Sequence, residues 1–228
     1  MAEGRGAVAR VQDDGVSEGG GEVREATRAR IEQAALALFT EQGFEAVTTD
    51  EVADAAGISR HTFFRYFATK ADAVWGDFHG HVVRLERLLA ATEDTQSVLG
   101  TICAAYVEAN DYAEADLPVL RQRMTLILGE PALQAHSQVR YADVDRVVAE
   151  HVARRTGTSP RALVPRLVAT ATRAAATTAF ETWLADSSTT LAAALHEAFD
   201  QLAGGFPGLC GSSSSGLPPR PGAVPGSG

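Results

Sequence analysis

Residues 49–59 read Thr49-Asp-Glu-Val-Ala-Asp-Ala-Ala-Gly-Ile-Ser59, and this stretch decides the fold. Ala53 is small enough to let two helices approach closely, Gly57 permits a tight turn, and Ile58 plugs the angle between the helices. Val52 and Ala56 face inward with it. Ahead of the turn, either Thr48 or Thr49 can cap a short helix over 50–56, with Asp50 and Glu51 in its first turn, where the helix dipole favours acids. Beyond the turn, Ser59 caps a further helix to about residue 67. The polar side of that helix carries Arg60, His61, Thr62, Arg65 and Tyr66, residue types suited to a major groove. Phe63, Phe64 and Phe67 form its apolar sides and are expected to pack mostly on the helices before and after the motif.

Working outward, helical periodicity continues almost everywhere and no β pattern is convincing. Ile31, Ala34, Ala35, Leu38 and Phe39 share one face of a helix over 24–42; Gly43 ends it, and Phe44 and Val47 fold back as apolar anchors. On the other side, Thr69 and Asp72 form a capping box with a shortened acid, predicting one long helix to about residue 91. Further helices are predicted over 95–110, 117–128, 131–156, 160–185 and 189–203, with Pro118, Pro131 and Pro160 in first-turn positions. The expected fold is all-α: a three-helix helix-turn-helix DNA-binding domain over 23–70, then a six-helix ligand-binding and dimerisation domain over 71–203. Residues 1–22 and 204–228 are rich in Gly with acids, or in Gly, Ser and Pro, and are expected to be disordered tails.

The formal charge of −9 argues against a protein coated in nucleic acid, but affinity depends on where the cations sit. Residues 57–70 hold Arg60, His61, Arg65 and Lys70 and no acid, whereas the cluster of Arg24, Arg28 and Arg30 is diluted by Glu22, Glu25 and Glu32. No run is apolar enough to span a bilayer, the N-terminus lacks the order of a secretory signal, and Cys103 and Cys210 make no disulfide framework, so a cytoplasmic setting is expected. No nucleophile–base arrangement or phosphate-cradling loop is present, which argues against an enzyme. His79 and His81 stand two apart on a helix and face different sides, and His136 and His151 are isolated, so neither a metal nor a cofactor is expected.

The stretches Ala34-Ala35-Leu36-Ala37-Leu38-Phe39, Gly43-Phe44, Thr48-Thr49, Val52-Ala53, Ala56-Gly57-Ile58-Ser59 and Thr62-Phe63-Phe64-Arg65-Tyr66-Phe67-Ala68-Thr69-Lys70 together resemble the DNA-binding domain of TetR-family repressors, without a gap over 27–74. The resemblance implies a homodimer that places two recognition helices in successive major grooves. It implies base-edge or phosphate contacts from Arg60, His61 and Thr62, and phosphate contacts from Thr49, Tyr66 and Lys70; Ser59 is counted with the same face. An arginine early in a recognition helix can also read guanine bidentately on chemical grounds alone. Phe64 stands where many relatives carry a tyrosine whose hydroxyl reaches a phosphate, and Arg65 and Tyr66 are placed to compensate. Residues 60–78, ending Trp75-Gly76-Asp77-Phe78, are similar to TetR-like regulators encoded with mycofactocin biosynthesis clusters, with Ala68 replacing a usual proline and Val74 a usual leucine or proline. That narrower resemblance implies a long-chain acyl-CoA effector.

Past residue 73 the helices carry more apolar residues than one buried stripe requires. The resemblance implies that Trp75, Phe78, Val82, Leu85, Cys103, Tyr106, Met124, Ile127 and Tyr141 surround a small apolar effector, although an aromatic or Met at helical spacing serves equally well as plain core. Arg121, Arg123 and Arg140 stand near these positions and would suit the phosphates of an acyl-CoA. Alanine-rich helical surface lets two subunits approach, so Leu167, Ala171, Ala175, Leu191, Leu195 and Phe199 are expected at the dimer interface. These expectations combine into a repressor released from a near-palindromic operator by its effector. The rival is a small-molecule-binding helical protein without a specific DNA role, which steeply salt-dependent binding would exclude.

Overall fold

The structure is a computed structural model and describes residues 17–92 and 97–206. Those residues form α-helices joined by turns, with one 3-10 turn and no strand, as the periodicity requires. The chain divides into two compact units, the first running to Asp77 and including Thr125–Gln134, the second comprising Phe78–Met124 and the chain from Ala135 on.

The first unit is built on α1 (Ser17–Gln42), α2 (Thr49–Ala55), α3 (Arg60–Tyr66) and α4 (Asp72–Trp75). Its core gathers Ile31, Ala35, Leu36 and Phe39 of α1, Val52 and Ala53 of α2, Phe63 of α3 and Ala73, Val74 and Trp75 of α4, all buried. Phe44 and Val47 are buried as anchors, Phe44 meeting Phe39 edge-on at 5.0 Å. Thr48, rather than Thr49, caps α2: its side chain accepts from the Glu51 amide, and the Glu51 carboxylate accepts from the Thr48 amide at 2.7 Å. The donated Thr48 amide, and then the Thr48 hydroxyl, which also donates to the carboxylate at 2.8 Å, hold the Glu51 carboxyl below the usual carboxylate range. Gly57 turns the chain with φ +64°, and the Ile58 amide reaches back to the Ala53 carbonyl at 3.0 Å. Ser59 then caps α3 by accepting from the Thr62 amide at 3.1 Å.

Two expectations need correction here. The predicted tail 1–22 is too long, because α1 already begins at Ser17. Residues 1–16 lie outside the described residues. The second correction concerns the long helix predicted from Thr69. Its capping box forms, with the Thr69 amide donating to Asp72 at 2.8 Å. The helix nevertheless stops after Trp75, at Gly76 with φ 59° and ψ −141°, a conformation open to glycine, and restarts as α5 (Phe78–Ala90). Burial of Ala73, Val74 and Trp75 anchors α4, and Arg28 of α1 donates to the Gly76 carbonyl at 2.9 Å. These contacts move the boundary of the first unit from the expected 70/71 to 77/78.

The second unit holds α5, α6 (Val98–Ala109), the body of α8 (Pro131–Thr156), α9 (Leu163–Ala185), α10 (Leu191–Gly204) and the start of α7 (Leu117–Gly129), which follows a 3-10 turn at Glu114–Asp116. Ser97 caps α6, and the start predicted at 95 lies outside the described residues. Pro160 sits in a turn closed by Ala162 onto Ser159 at 2.9 Å, so α9 begins three residues later than predicted. Within this unit α10 packs along α9, and α6 touches α5, α9 and α10. Arg121 closes the carboxyl end of α9, donating to the carbonyls of Trp183 (2.9 Å) and Leu184 (3.3 Å) with its guanidinium 4.1 Å above the Trp183 ring. That occupation explains why Arg121 is not held out for an effector phosphate. α10 ends at Gly204, where the predicted tail begins; residues 207–228 lie outside the described residues.

Candidate functional site

The helix-turn-helix presents α3 with Arg60, His61 and Arg65 exposed and Thr62 and Tyr66 half-buried. Thr49 is half-buried as the first residue of α2. Ser59 is exposed, but its hydroxyl is engaged in the cap and lies 2.9 Å from the Thr62 hydroxyl. Arg60 donates through Nη1 to Asp50 of α2 at 2.9 Å, and its guanidinium lies 5.6 Å from the centroid of the Phe64 ring. Phe64 is 43% exposed, so it departs from the packing expected of it; Phe63 and Phe67 are buried as expected. Arg24 and Val23 of α1 join Arg65 and Tyr66 in lining a cleft of about 390 Å³, which extends the cationic surface beyond α3. Arg24 was visible in the sequence only as a member of a diluted cluster, because charge counting does not show which arginine stands beside α3.

Lys70, expected at a phosphate, is engaged within the first unit. Its ammonium donates to the carbonyls of Phe44 (2.7 Å) and Val47 (2.9 Å), approaches that of Glu45 (3.5 Å), and lies 4.4 Å from the Phe44 ring centroid. An ammonium has three donors, and here they meet carbonyls of the turn that follows α1.

Of the residues expected around an effector, Val82, Leu85 and Tyr106 are buried, and Phe78, Cys103, Met124 and Tyr141 are half-buried, all in the second unit. Trp75 and Ile127 are buried and belong to the first unit. Phe78 meets the Tyr141 ring at 6.2 Å, the Arg173 guanidinium stands 5.5 Å from the same ring, and Arg173 pairs with Asp145 at 2.8 Å. Tyr106 stacks obliquely on Phe199 at 5.4 Å. The buried Tyr106 hydroxyl has no hydrogen-bond partner among the described residues, and the Thr172 hydroxyl donates to the carbonyls of Val168 (2.9 Å) and Ala169 (3.1 Å). Burial raises the Tyr106 phenol far above its ordinary value, and burial followed by the charge of Asp200 pushes the Cys103 thiol up to about 11. Both groups are therefore uncharged at neutral pH.

The six residues expected at the dimer interface part company. Leu191, Leu195 and Phe199 are buried within their own subunit, where α10 packs on α6 and α9. Periodicity identifies an apolar stripe but cannot say whether its cover comes from the same chain or from another. Leu167 is 60% exposed, with Leu163 at 78% and Val164 at 56%, and Ala171 and Ala175 are half-buried further along α9. Positions 163, 167, 171 and 175 recur every fourth residue and share one side of the helix. No described helix is long and apolar enough to cross a membrane.

Residues 31–73 match the family described as bacterial regulatory proteins, tetR family, and residues 96–207 match the MftR C-terminal domain. A protein of Mycobacterium tuberculosis described as a candidate mycofactocin biosynthesis transcriptional regulator, MftR, is 38% identical over 186 residues, covering 82% of this chain and 94% of the relative. Among solved structures, a candidate TetR-family regulator from Syntrophomonas wolfei aligns with a TM-score of 0.60 at 13% identity, over 83% of this chain and all of that one. The fatty acid degradation regulator FadR from Bacillus halodurans aligns with a TM-score of 0.57 at 16% identity, over 79% of this chain and 96% of that one. At such identities these two structures speak for the fold alone, and the family rests on the sequence matches. The chain belongs to the TetR family of bacterial transcriptional regulators, DNA-binding proteins rather than enzymes.

Proposed function

We propose that this chain is a dimeric repressor that holds a near-palindromic operator through two copies of α3 and releases it when a small apolar effector enters the second unit. The observation that carries the reading is the capped recognition helix with Arg60, His61 and Arg65 all exposed and no acid between residues 57 and 70. In the dimer the two α3 helices would stand about one duplex turn apart, roughly 34–36 Å, and effector binding would disturb that spacing. Such coupling is typically about 1–3 kcal/mol and requires the effector to favour one state over the other. A long-chain acyl-CoA is the effector we favour, because the chain is similar to an MftR protein and its second unit offers apolar side chains around neutral hydroxyl and thiol groups. DNA as the target places the protein in the cytoplasm.

Fluorescence anisotropy on labelled DNA from upstream of the protein's own gene, with a scrambled control, tests this reading. Specific binding is expected, weakening by about 10³–10⁵ between 50 and 200 mM salt if the dimer makes 6–10 phosphate contacts. Added palmitoyl-CoA is expected to release the DNA. Specific binding that palmitoyl-CoA leaves unchanged would discard the effector, and absence of specific binding to native upstream fragments would discard the repressor.

For the dimer we propose the α9 stripe of Leu163, Val164, Leu167, Ala171 and Ala175 as the contact, since three large apolar side chains stand exposed there. Leu167→Glu puts a charge on that stripe and is expected to yield a monomer by light scattering, with operator affinity reduced. A Leu167→Glu protein that remains dimeric would move the interface elsewhere.

A further inference from the structure

One acid contacts the recognition helix and is not used by the DNA-binding reading. Asp50, at the start of α2, and Phe64, on α3, hold Arg60 from two sides. Asp50 accepts from Nη1 at 2.9 Å, and the Phe64 ring centroid lies 5.6 Å from the guanidinium carbon. Both partners of the ion pair are well exposed, so the contact contributes little to folding. What it supplies is orientation. A free arginine on a helix surface samples many rotamers, and ordering it on DNA costs side-chain entropy that a pre-set guanidinium has already lost. With one Nη1 hydrogen on Asp50, Nη2 and Nε remain free to meet the O6 and N7 acceptors of a guanine.

The acid also acts on affinity, with the opposite sign. A carboxylate beside the recognition helix repels every phosphodiester, whatever the sequence, and its cost is recovered only where Arg60 finds its base. An aspartate at this position therefore lowers binding to random DNA while sharpening recognition of one base pair. Phe64 fits the same account: a half-exposed aromatic ring is costly to leave in water, and here one face is covered by the guanidinium.

We propose that Asp50 is a positioning residue which, together with Phe64, aligns the Arg60 guanidinium for guanine and suppresses non-specific DNA binding. The proposal rests on the operator-binding reading above. It is tested with full-length protein on the native operator, on a set of operators carrying single base-pair changes, and on random duplex, each across a salt series. Asp50→Ala is expected to bind random duplex more tightly, and to lose discrimination by up to about fivefold per half-site at one base pair, the one whose change is also tolerated by Arg60→Ala. Asp50→Glu, which keeps an acceptor and the charge, is expected to recover part of that discrimination, and Phe64→Leu to lose part of it. Thermal melting serves as the control, since a purely structural Asp50 would lower the melting temperature and all DNA affinities together. Unchanged discrimination in Asp50→Ala, or weaker binding to random duplex, overturns the proposal. If the wild-type protein shows no operator preference, the repressor reading fails first, and this inference fails with it.

Discussion

Arg60→Ala is expected to remove most of the operator affinity while leaving the protein folded. A bidentate arginine–guanine contact contributes about 1–3 kcal/mol of discrimination, and a symmetric dimer makes it twice, so the loss is about 2–6 kcal/mol, or roughly 30- to 10⁴-fold. The substitution also leaves Asp50 without its cation, facing the phosphates. Stability is expected to change little, because the Arg60 side chain is well exposed and its ion pair lies at the surface. Arg60→Lys separates charge from geometry. It keeps the cation but loses the planar fork, so base discrimination should fall further than total affinity. Titration of both variants against operator and random duplex measures the difference. Wild-type operator affinity in Arg60→Ala would remove α3 from base recognition.

Phe63→Ala is expected to have the opposite profile, a large loss of stability with DNA binding lost as a consequence. The Phe63 ring is fully buried, at 0% exposure, with the rings of Phe64 and Phe67 at 5.5 and 5.7 Å. Truncating a buried phenylalanine costs about 3–5 kcal/mol, through lost burial and the cavity left behind. That is a large part of a typical total of about 5–15 kcal/mol. For a chain of this size the melting temperature should fall by about 6–20 °C. Phe64→Ala, one residue along, should cost less than about 1 kcal/mol, because much of its ring is already in water. Circular dichroism melts of the two variants make the comparison. Equal melting temperatures would show that the core of the first unit does not depend on Phe63.

Much of the first unit is legible in the sequence because its deciding interactions are local. Thr48 with Glu51, Ser59 with Thr62 and Thr69 with Asp72 each join residues three apart, and a short window contains both partners. The turn at Gly57 and the exposure of Arg60, His61 and Arg65 follow from the same local pattern. The twin phenylalanines are not separable in this way. Phe63 and Phe64 are identical in type, and only the packing of the other helices makes one of them core and the other a support for Arg60.

What the sequence determined alone is the all-helical plan, the start of most helices, and a capped basic helix after a glycine turn; these depend on hydrogen bonds and periodicities spanning three or four residues. Tertiary structure decided the rest. Arg28 reaches across 48 positions to the carbonyl of Gly76, where the predicted long helix breaks. Lys70 reaches back 26 positions to the carbonyl of Phe44. Leu191, Leu195 and Phe199 show an interface pattern but are covered by their own subunit. Asp50, ten positions before Arg60, becomes its partner only because the turn at Gly57 folds α2 beside α3. In each case the partner lies far along the chain, and a residue's type states what it can bind without stating which partner folding will bring to it.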